Sequence, residues 1–349
     1  MTRTFTLPIA AALLAGCAAL PVAPAVAQAD PPPSAAPAEA PSPGAIVDAA
    51  PVSDWIEIAA RDLMVMELAP DAKGKPRRVV IQLMPPPFSQ GWIGNMRKLA
   101  AARFWDDTSV NRVQDNYVVQ WGDATEKKPL PEGLAAVPES AYTTPIDSLP
   151  DGVSGEIGDQ AEARNEMTYY ARKGSEDFPR VHDAYSDYSL FTMGWPVASN
   201  DDAKSVWPVH CYGMVGVGRG YSPDTGTGAE LYTVIGHAPR HLDRNIALVG
   251  RVIDGMEHLS SLPRGHGTLG FYAEDESPTP IVSVRLANEL PKAQQPRFAY
   301  LSTDSDAFAK YADARANRRD PFFIVPAGGA DICNVPVPVK AYPWVKAGE

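Results

Sequence analysis

Residues 104–123 of this chain read FWDDTSVNRVQDNYVVQWGD. Ahead of this segment, apolar residues recur at helical spacing between Ser89 and about Ala102, so the sequence predicts a helix there with Ser89 as its N-cap. The β-branched and aromatic residues of Asn116 to Val119 predict a strand. Arg112 therefore stands at a turn between a helix and a strand.

Short β-branched runs predict strands elsewhere in the chain. They cover Leu63 to Met66, Arg78 to Leu83, Cys211 to Val217, Leu231 to Ile235, Ala247 to Val252 and Ile281 to Leu286. A second short helix is expected from Met256 to Leu262. Many short strands with two core helices are typical of an all-β barrel or sandwich.

Two regions do not fit this strand pattern. Residues 124–208 are rich in Pro, Asp, Ser and Gly, which predicts an insertion of loops without a second core, with a polar helix near Gln160 to Lys173. Beyond residue 287, Phe308 to Arg318 predicts an exposed helix, and the chain from Pro321 onward predicts an extended tail.

Net charge and motif spacing argue against several classes of function. A net charge of −11 argues against a protein that coats nucleic acid. The glycine run from Gly213 to Gly220 leads into a Ser-Pro-Asp-Thr-Gly turn that cannot open a helix, which argues against a dinucleotide site. His237 and His241 have a metal-ligand spacing, but Pro239 lies between them and no supporting ligands surround them.

The N-terminus predicts export. Arg3 precedes a short apolar run, Leu7 to Leu14, that is too short for a stable membrane span, so residues 1–27 are interpreted as a signal peptide ending at Ala25-Val26-Ala27. Leu14 to Cys17 offers the alternative of a lipobox, with cleavage after residue 16 and lipidation of Cys17. A lipid anchor there would be the only expected membrane contact. Residues 28–53 predict a disordered Pro/Ala-rich linker.

Export changes the interpretation of the cysteines. Cys211 and Cys333 remain in the mature chain under either processing route, and two thiols in an oxidising compartment could pair. The alternative is two separate buried thiols.

Four segments resemble the cyclophilin family in the same order. Residues 104–123 resemble its "FYDGTTFHR" and "FMIQGGD" signature, and residues 213–218 (GMVGVG) resemble its "MANAG" strand. Residues 230–234 (ELYTV) resemble "QFFI", and residues 241–256 (HLDRNIALVGRVIDGM) resemble "HLDGKHTVFGRVVEGM". The chain is thereby identified as a divergent, exported bacterial member of the cyclophilin-type peptidyl-prolyl cis/trans isomerases.

The resemblance implies a fold, an activity and a domain plan. It implies a mainly β domain over residues 54–287, built as a closed eight-stranded antiparallel barrel capped by two helices. Residues 124–208 would be an insertion and residues 288–349 a C-terminal extension. The implied activity is isomerisation of X-Pro bonds in exported polypeptides, without a cofactor. A periplasmic location, or an outer-membrane lipoprotein, would follow from export.

The resemblance also implies site residues. Arg112 takes the place of the catalytic arginine, and Gln120 that of the glutamine that positions it. The implied substrate-binding residues are Tyr117, Val118, Val215, Gly216, Glu230, Tyr232, His241, Leu242 and Ile246. The alternative for Arg112 is a structural salt bridge, and for Tyr117, Val118 and Tyr232 it is ordinary barrel core.

Three positions depart from the family pattern. Gly216 replaces an asparagine, Ile246 replaces a histidine, and Glu230 replaces a glutamine, with a register that could slip to Leu231. These changes keep a second interpretation open, in which the fold serves as a non-catalytic proline-peptide-binding module or envelope chaperone.

Overall fold

The computed structural model describes residues 40–123, 125, 127–149, 183–200 and 204–342. The predicted signal peptide, Cys17, most of the predicted linker and the helix expected near residues 160–173 lie outside these residues. Within them, no helix has the length and apolar character needed to cross a bilayer.

The described strands and α-helices are numbered here in chain order. The strands are β1 (Trp55–Glu57), β2 (Leu63–Leu68), β3 (Arg77–Leu83), β4 (Ser109–Val113), β5 (Val118–Gly122), β6 (Thr144–Pro145), β7 (Tyr188–Thr192), β8 (Trp195–Ser199), β9 (Ser205–Pro208), β10 (Met214–Val217), β11 (Leu231–Val234), β12 (Leu248–Asp254), β13 (Thr279–Leu286), β14 (Phe298–Leu301) and β15 (Val339–Ala341). The helices are α1 (Pro43–Asp48), α2 (Gln90–Ala101), α3 (Glu257–Ser260) and α4 (Asp306–Ala316).

Eight of these strands close into a barrel. The order around it is β10-β11-β5-β4-β13-β2-β3-β12, with β12 pairing back to β10, and all neighbours are antiparallel. Closure leaves no unpaired sheet edge, which removes the main liability of a β-sheet. The predicted eight-stranded barrel is confirmed.

The barrel interior follows from the alternation of residues along each strand. In β5, Val119 and Trp121 are buried in the main core, whereas Val118 belongs to a separate cluster on the outer face. The two capping helices correspond to α2, which packs against β12 and β13, and to α3, which lies against β3.

Ser89 does not cap α2 in the predicted way. It has φ of 53°, in the left-handed region, and its side chain makes no capping hydrogen bond. The helix is held instead by its buried face, where Trp92 donates from Nε1 to the carbonyl of Thr225 at 3.1 Å. Burial of a large aromatic side chain stabilises a helix more than a single cap does.

The prediction that residues 124–208 consist of loops is wrong for the part that the structure describes, although no second core forms among those residues. Strands β6 to β9 form a four-stranded sheet in the order β6-β9-β8-β7. Its Trp195, Val197, Val206 and Trp207 are buried and join the core cluster of the barrel. The strands are short and interrupted by proline, so their sequence resembles loops.

The predicted linker and tail also need correction. Instead of lying in a disordered linker, α1 packs against α4, and α4 is not exposed, because Phe308 and Tyr311 are buried. Strand β1 pairs with β14, which pairs with β15, so residues on both sides of the predicted boundary at 288 share one small sheet. The tail from Pro321 thus includes a paired strand, β15.

Cys211 and Cys333 are joined by a disulfide across 122 positions of sequence. This is the pair that the sequence suggested. The bond ties the C-terminal extension to the chain just before β10, the strand that carries Gly216.

Candidate functional site

Four of the predicted site residues lie in one row across four strands. Arg112 on β4 pairs with Gln120 on β5, Gln120 pairs with Tyr232 on β11, and Tyr232 pairs with Gly216 on β10. Directly opposed residues of antiparallel strands share a face of the sheet. The row therefore collects residues that are far apart in sequence onto one patch of the outer barrel surface.

The guanidinium of Arg112 is held from three sides. Nε donates to the carbonyl of Leu269 at 2.8 Å, one terminal nitrogen donates to Oε1 of Gln120 at 3.2 Å, and the other donates to Oε1 of Gln114. These bonds use three of the five N–H groups that an arginine carries. Two N–H groups remain without a partner among the described residues.

Two aromatic rings flank the same guanidinium. Its central carbon lies 5.7 Å from the ring centre of Tyr117 and 5.4 Å from that of Phe271, within the range of a cation–π interaction. Burial lowers the pKa of Arg112, but an arginine remains charged at neutral pH. The site therefore presents a fixed positive charge in a partly desolvated setting.

The loop that carries Leu269 and Phe271 is built against β4. The backbone N–H of Tyr272 donates to the carbonyl of Asn111 at 3.1 Å. Gly270 has φ of 79°, and a Cβ there would lie 2.7 Å from Cα of Gln114, so only glycine allows this approach. The close packing brings the Leu269 carbonyl within reach of Arg112.

Gln120 connects Arg112 to a partly buried carboxyl group. Its Nε2 donates to Oε2 of Glu230 at 3.5 Å, and Nδ2 of Asn111 donates to the same oxygen at 3.3 Å. Burial raises the pKa of Glu230, and these two hydrogen bonds oppose that shift. Glu230 thus orients the amide of Gln120 so that its oxygen faces Arg112.

An apolar cluster adjoins the arginine. Val118, Tyr232 and Val234 form its buried part, and Tyr117 and Ile246 pack around them. The exposed His241 stacks on Tyr117 with ring centres 6.5 Å apart, in the same short turn as the half-buried Leu242. This cluster is the candidate proline pocket.

Val215 is not part of that pocket. Its side chain is fully buried in the main barrel core, because it alternates with the outward-facing Gly216 along β10. The substrate contact of Val215 stays a prediction, and it would have to be made through the backbone.

The comparisons with known proteins agree with this geometry. Residues 91–287, more than half of the chain, match the family model described as cyclophilin-type peptidyl-prolyl cis-trans isomerase/CLD. The chain belongs to this family. No curated protein sequence matches it.

Solved structures resemble this cyclophilin in fold. The crystal structure of cyclophilin AquaCyp293 from Hirschia baltica has 19% sequence identity and a TM-score of 0.57, covering 82% of this chain and 93% of its own. A cyclophilin-type isomerase from Cryptosporidium parvum, crystallised in the presence of the dipeptide Ala-Pro, has 11% identity and a TM-score of 0.34, covering 64% and 98%.

Several residues of this cyclophilin's site were missed by sequence reasoning. Gln114 lies two residues after Arg112, just beyond the end of β4, inside the segment that the resemblance already covered. Leu269 and Phe271 lie more than 150 positions downstream in a glycine-rich stretch without a strand pattern. No sequence signal places that loop beside β4.

The glycine at position 216 of this cyclophilin has a structural reason. A Cβ built there would lie 2.3 Å from both Cζ and the hydroxyl oxygen of Tyr232. The Tyr232 side chain therefore occupies the space that a side chain at 216 would need. An asparagine at position 216 would collide with Tyr232 on the neighbouring strand, whereas glycine leaves room for the tyrosine ring.

We expect Gly216→Ala to lower the free energy of unfolding by about 1–3 kcal/mol, because the added methyl group overpacks a closed site. Gly94→Ala is the matched control, since a Cβ at Gly94 in α2 meets no atom within 4 Å. That control should be neutral or stabilising by up to ~1 kcal/mol. Chemical denaturation of both variants checks the prediction, and equal stabilities would contradict it.

Proposed function

We propose that this protein isomerises X-Pro bonds of exported polypeptides, with Arg112 stabilising the twisted amide. The single observation that supports the proposal most is the fixed guanidinium of Arg112 beside an apolar cluster on one barrel face. Family membership supports the reaction in general, and the geometry supports the role of the arginine.

The chemistry requires only a twist of one bond. The X-Pro amide has partial double-bond character, so its two isomers exchange over a barrier of ~20 kcal/mol. Twisting breaks the resonance and leaves the nitrogen with a lone pair that accepts a hydrogen bond. A charged donor held in place before the reaction binds the twisted state better than the planar one, and only such a difference accelerates the step.

The remaining donors of Arg112 fit this role. Three protein acceptors fix the plane of the guanidinium, and two N–H groups are left for the substrate. Val118, Tyr117 and Ile246 would hold the proline ring while the rest of the peptide rotates. No cofactor takes part in this scheme.

A protease-free assay of cis/trans exchange in a short X-Pro peptide tests the proposal. We expect the purified mature chain to accelerate exchange and to leave a peptide with alanine in place of proline unbound. A chain that does not accelerate exchange, whether or not it binds the proline peptide, would refute the proposal.

One observation favours a second function, that of a non-catalytic proline-peptide-binding module. Tyr232 is only 4% exposed, and Gly216 offers no side chain to a peptide, so the pocket floor differs from the family pattern. Under this alternative the wild type binds proline peptides, as calorimetry would show, without accelerating their isomerisation.

We propose that the mature chain is exported to the bacterial envelope. The N-terminal signal pattern and the pairing of Cys211 with Cys333 support this, because disulfides persist in oxidising compartments. Mass spectrometry of the mature N-terminus should find cleavage after Ala27, or a lipidated Cys17. A chain that keeps Met1 and remains in the cytoplasm would contradict the proposal.

A further inference from the structure

A chain of buried polar side chains begins at the floor of the candidate pocket. The Tyr232 hydroxyl lies 3.0 Å from Nε2 of His210, and Nδ1 of His210 lies 2.8 Å from Oδ1 of Asp243. Arg240 donates from Nε to Oδ2 of Asp243 at 2.7 Å and pairs with Asp183 at 2.8 Å. The side chains of His210, Asp243 and Arg240 are each at most 3% exposed.

The proton positions along this chain follow from charge and burial. Burial lowers the pKa of His210 against the attraction of Asp243, which favours the neutral imidazole. A carboxylate only accepts hydrogen bonds, so Nδ1 carries the ring proton and donates to Asp243. Nε2 is left as an acceptor, and the Tyr232 hydroxyl donates to it, since burial raises the pKa of that hydroxyl well above its usual value.

His210 is anchored independently of Tyr232. Its backbone N–H donates to Oδ1 of Asp243 at 2.9 Å, so one carboxylate oxygen holds both the backbone and the ring. The next residue, Cys211, is fixed by its disulfide to Cys333. The imidazole is therefore a rigid acceptor whose direction does not depend on the tyrosine that it meets.

The hydroxyl bond determines where the ring of Tyr232 lies. The ring is nearly parallel to the imidazole, at 8° with centres 6.5 Å apart, and it covers Gly216. The side chain is thus held at Cα by β11 and at its far end by His210. A ring held at both ends cannot rotate out of the pocket.

We infer that His210 is a positioning residue for the isomerase, which holds Tyr232 across Gly216 and thereby fixes the surface against which the substrate's proline ring packs. The inference rests on the proposed function, because it assigns Tyr232 to the proline pocket. Arg112 is held by Leu269, Gln114 and Gln120, none of which belongs to this chain of side chains. Loss of the His210 bond should therefore weaken peptide binding and leave the turnover step intact.

Three substitutions separate the two bonds of the imidazole. His210→Asn places an amide nitrogen near the position of Nδ1, which keeps the bond to Asp243 and removes the acceptor for Tyr232. His210→Gln places an amide oxygen near the position of Nε2, which keeps that acceptor. Tyr232→Phe keeps the ring and removes the hydroxyl.

We expect His210→Asn and Tyr232→Phe each to raise KM for an X-Pro peptide about three- to tenfold, the worth of one buried hydrogen bond. The value of kcat should stay within about twofold, the double variant should be no worse than either single one, and His210→Gln should recover most of the KM. A purely structural role would lower thermal stability in both variants without moving KM, and that result would overturn the inference. If His210→Asn does not fold, Tyr232→Phe serves as the test by itself, and an unchanged KM in that variant overturns the inference.

A second readout separates this inference from the proposed function. If the wild type binds proline peptides without turning them over, the proposed function fails, and a raised Kd in Tyr232→Phe still supports the positioning role. Nitrogen-15 NMR of the histidine rings should show a proton on Nδ1 of His210 and an Nε2 resonance that shifts in Tyr232→Phe. A proton on Nε2 in the wild type would overturn the inference whatever the activity.

Discussion

Replacing Arg112 with alanine is expected to lower kcat for an X-Pro peptide by roughly a hundredfold or more, the usual effect of removing one preorganised donor from a transition state. The Kd of the same peptide should change far less, because the apolar cluster of Val118, Tyr117 and Ile246 is untouched. Exchange spectroscopy measures the turnover, and calorimetry measures the binding.

The controls for this prediction come from the same site and from outside it. Arg112→Lys should not restore turnover, because a lysine lacks the planar fork that Gln120 and Leu269 hold. Gln120→Ala should give a smaller loss of kcat by freeing the guanidinium. Arg61→Ala, an exposed arginine paired with Asp62, should behave as the wild type.

The Arg112 variant should remain folded. Its bond to the Leu269 carbonyl holds the loop of residues 265–272 against β4, so the free energy of unfolding should fall by about 1 kcal/mol. Wild-type turnover in a folded Arg112→Ala protein would contradict the catalytic role. Arg112 would then be structural, which is the alternative given in the sequence analysis.

Arg112 and Gln120 were assigned by the family resemblance of one continuous segment, and Arg112 lies within β4 and not, as predicted, at a turn between a helix and a strand. They lie eight residues apart, and their pairing follows from the local register of β4 and β5. Tyr232 and Gly216 were also assigned by the family resemblance. They come beside Arg112 and Gln120 only because β10 and β11 pair into the same closed barrel. The order of the family-like segments along the chain therefore predicted the site residues that lie on strands.

The rest could not be predicted because it depends on contacts between segments without a pattern. His210 precedes a strand and has no signal of its own, and its partner Asp243 sits in a turn 33 residues later. From the sequence, Gly216 was interpreted as a departure that could affect peptide binding. The structure shows that the Tyr232 side chain fills the space that a side chain at position 216 would need. The sheet β6-β9-β8-β7 was missed because its strands are short and lie beside segments rich in proline and glycine.

The disulfide also joins segments that are far apart in sequence. Because stabilisation by a disulfide rises with the length of the loop that it closes, we expect it to contribute more to stability than any other single bond. Cys211 and Cys333 close a loop of 122 positions, and the chain-entropy relation gives about 4–5 kcal/mol as an upper figure for such a loop. Replacing both cysteines with serine should lower the free energy of unfolding toward that amount, as denaturant titration would measure. Two free thiols in the unfolded, unreduced mature protein would contradict the pairing.

Reduction of the wild type provides the matched experiment. Cys333 is half-buried, and both cysteines line a cavity of about 590 Å³, so a small reductant can reach the bond in the folded protein. Reduced wild type should then unfold at the denaturant concentration of the Cys211→Ser, Cys333→Ser protein, and reductant should leave that double variant unchanged. The tie also fixes the residue next to His210, so reduction should raise KM for proline peptides in the same direction as His210→Asn. A stability loss with an unchanged KM would show that Asp243 alone is enough to hold the imidazole.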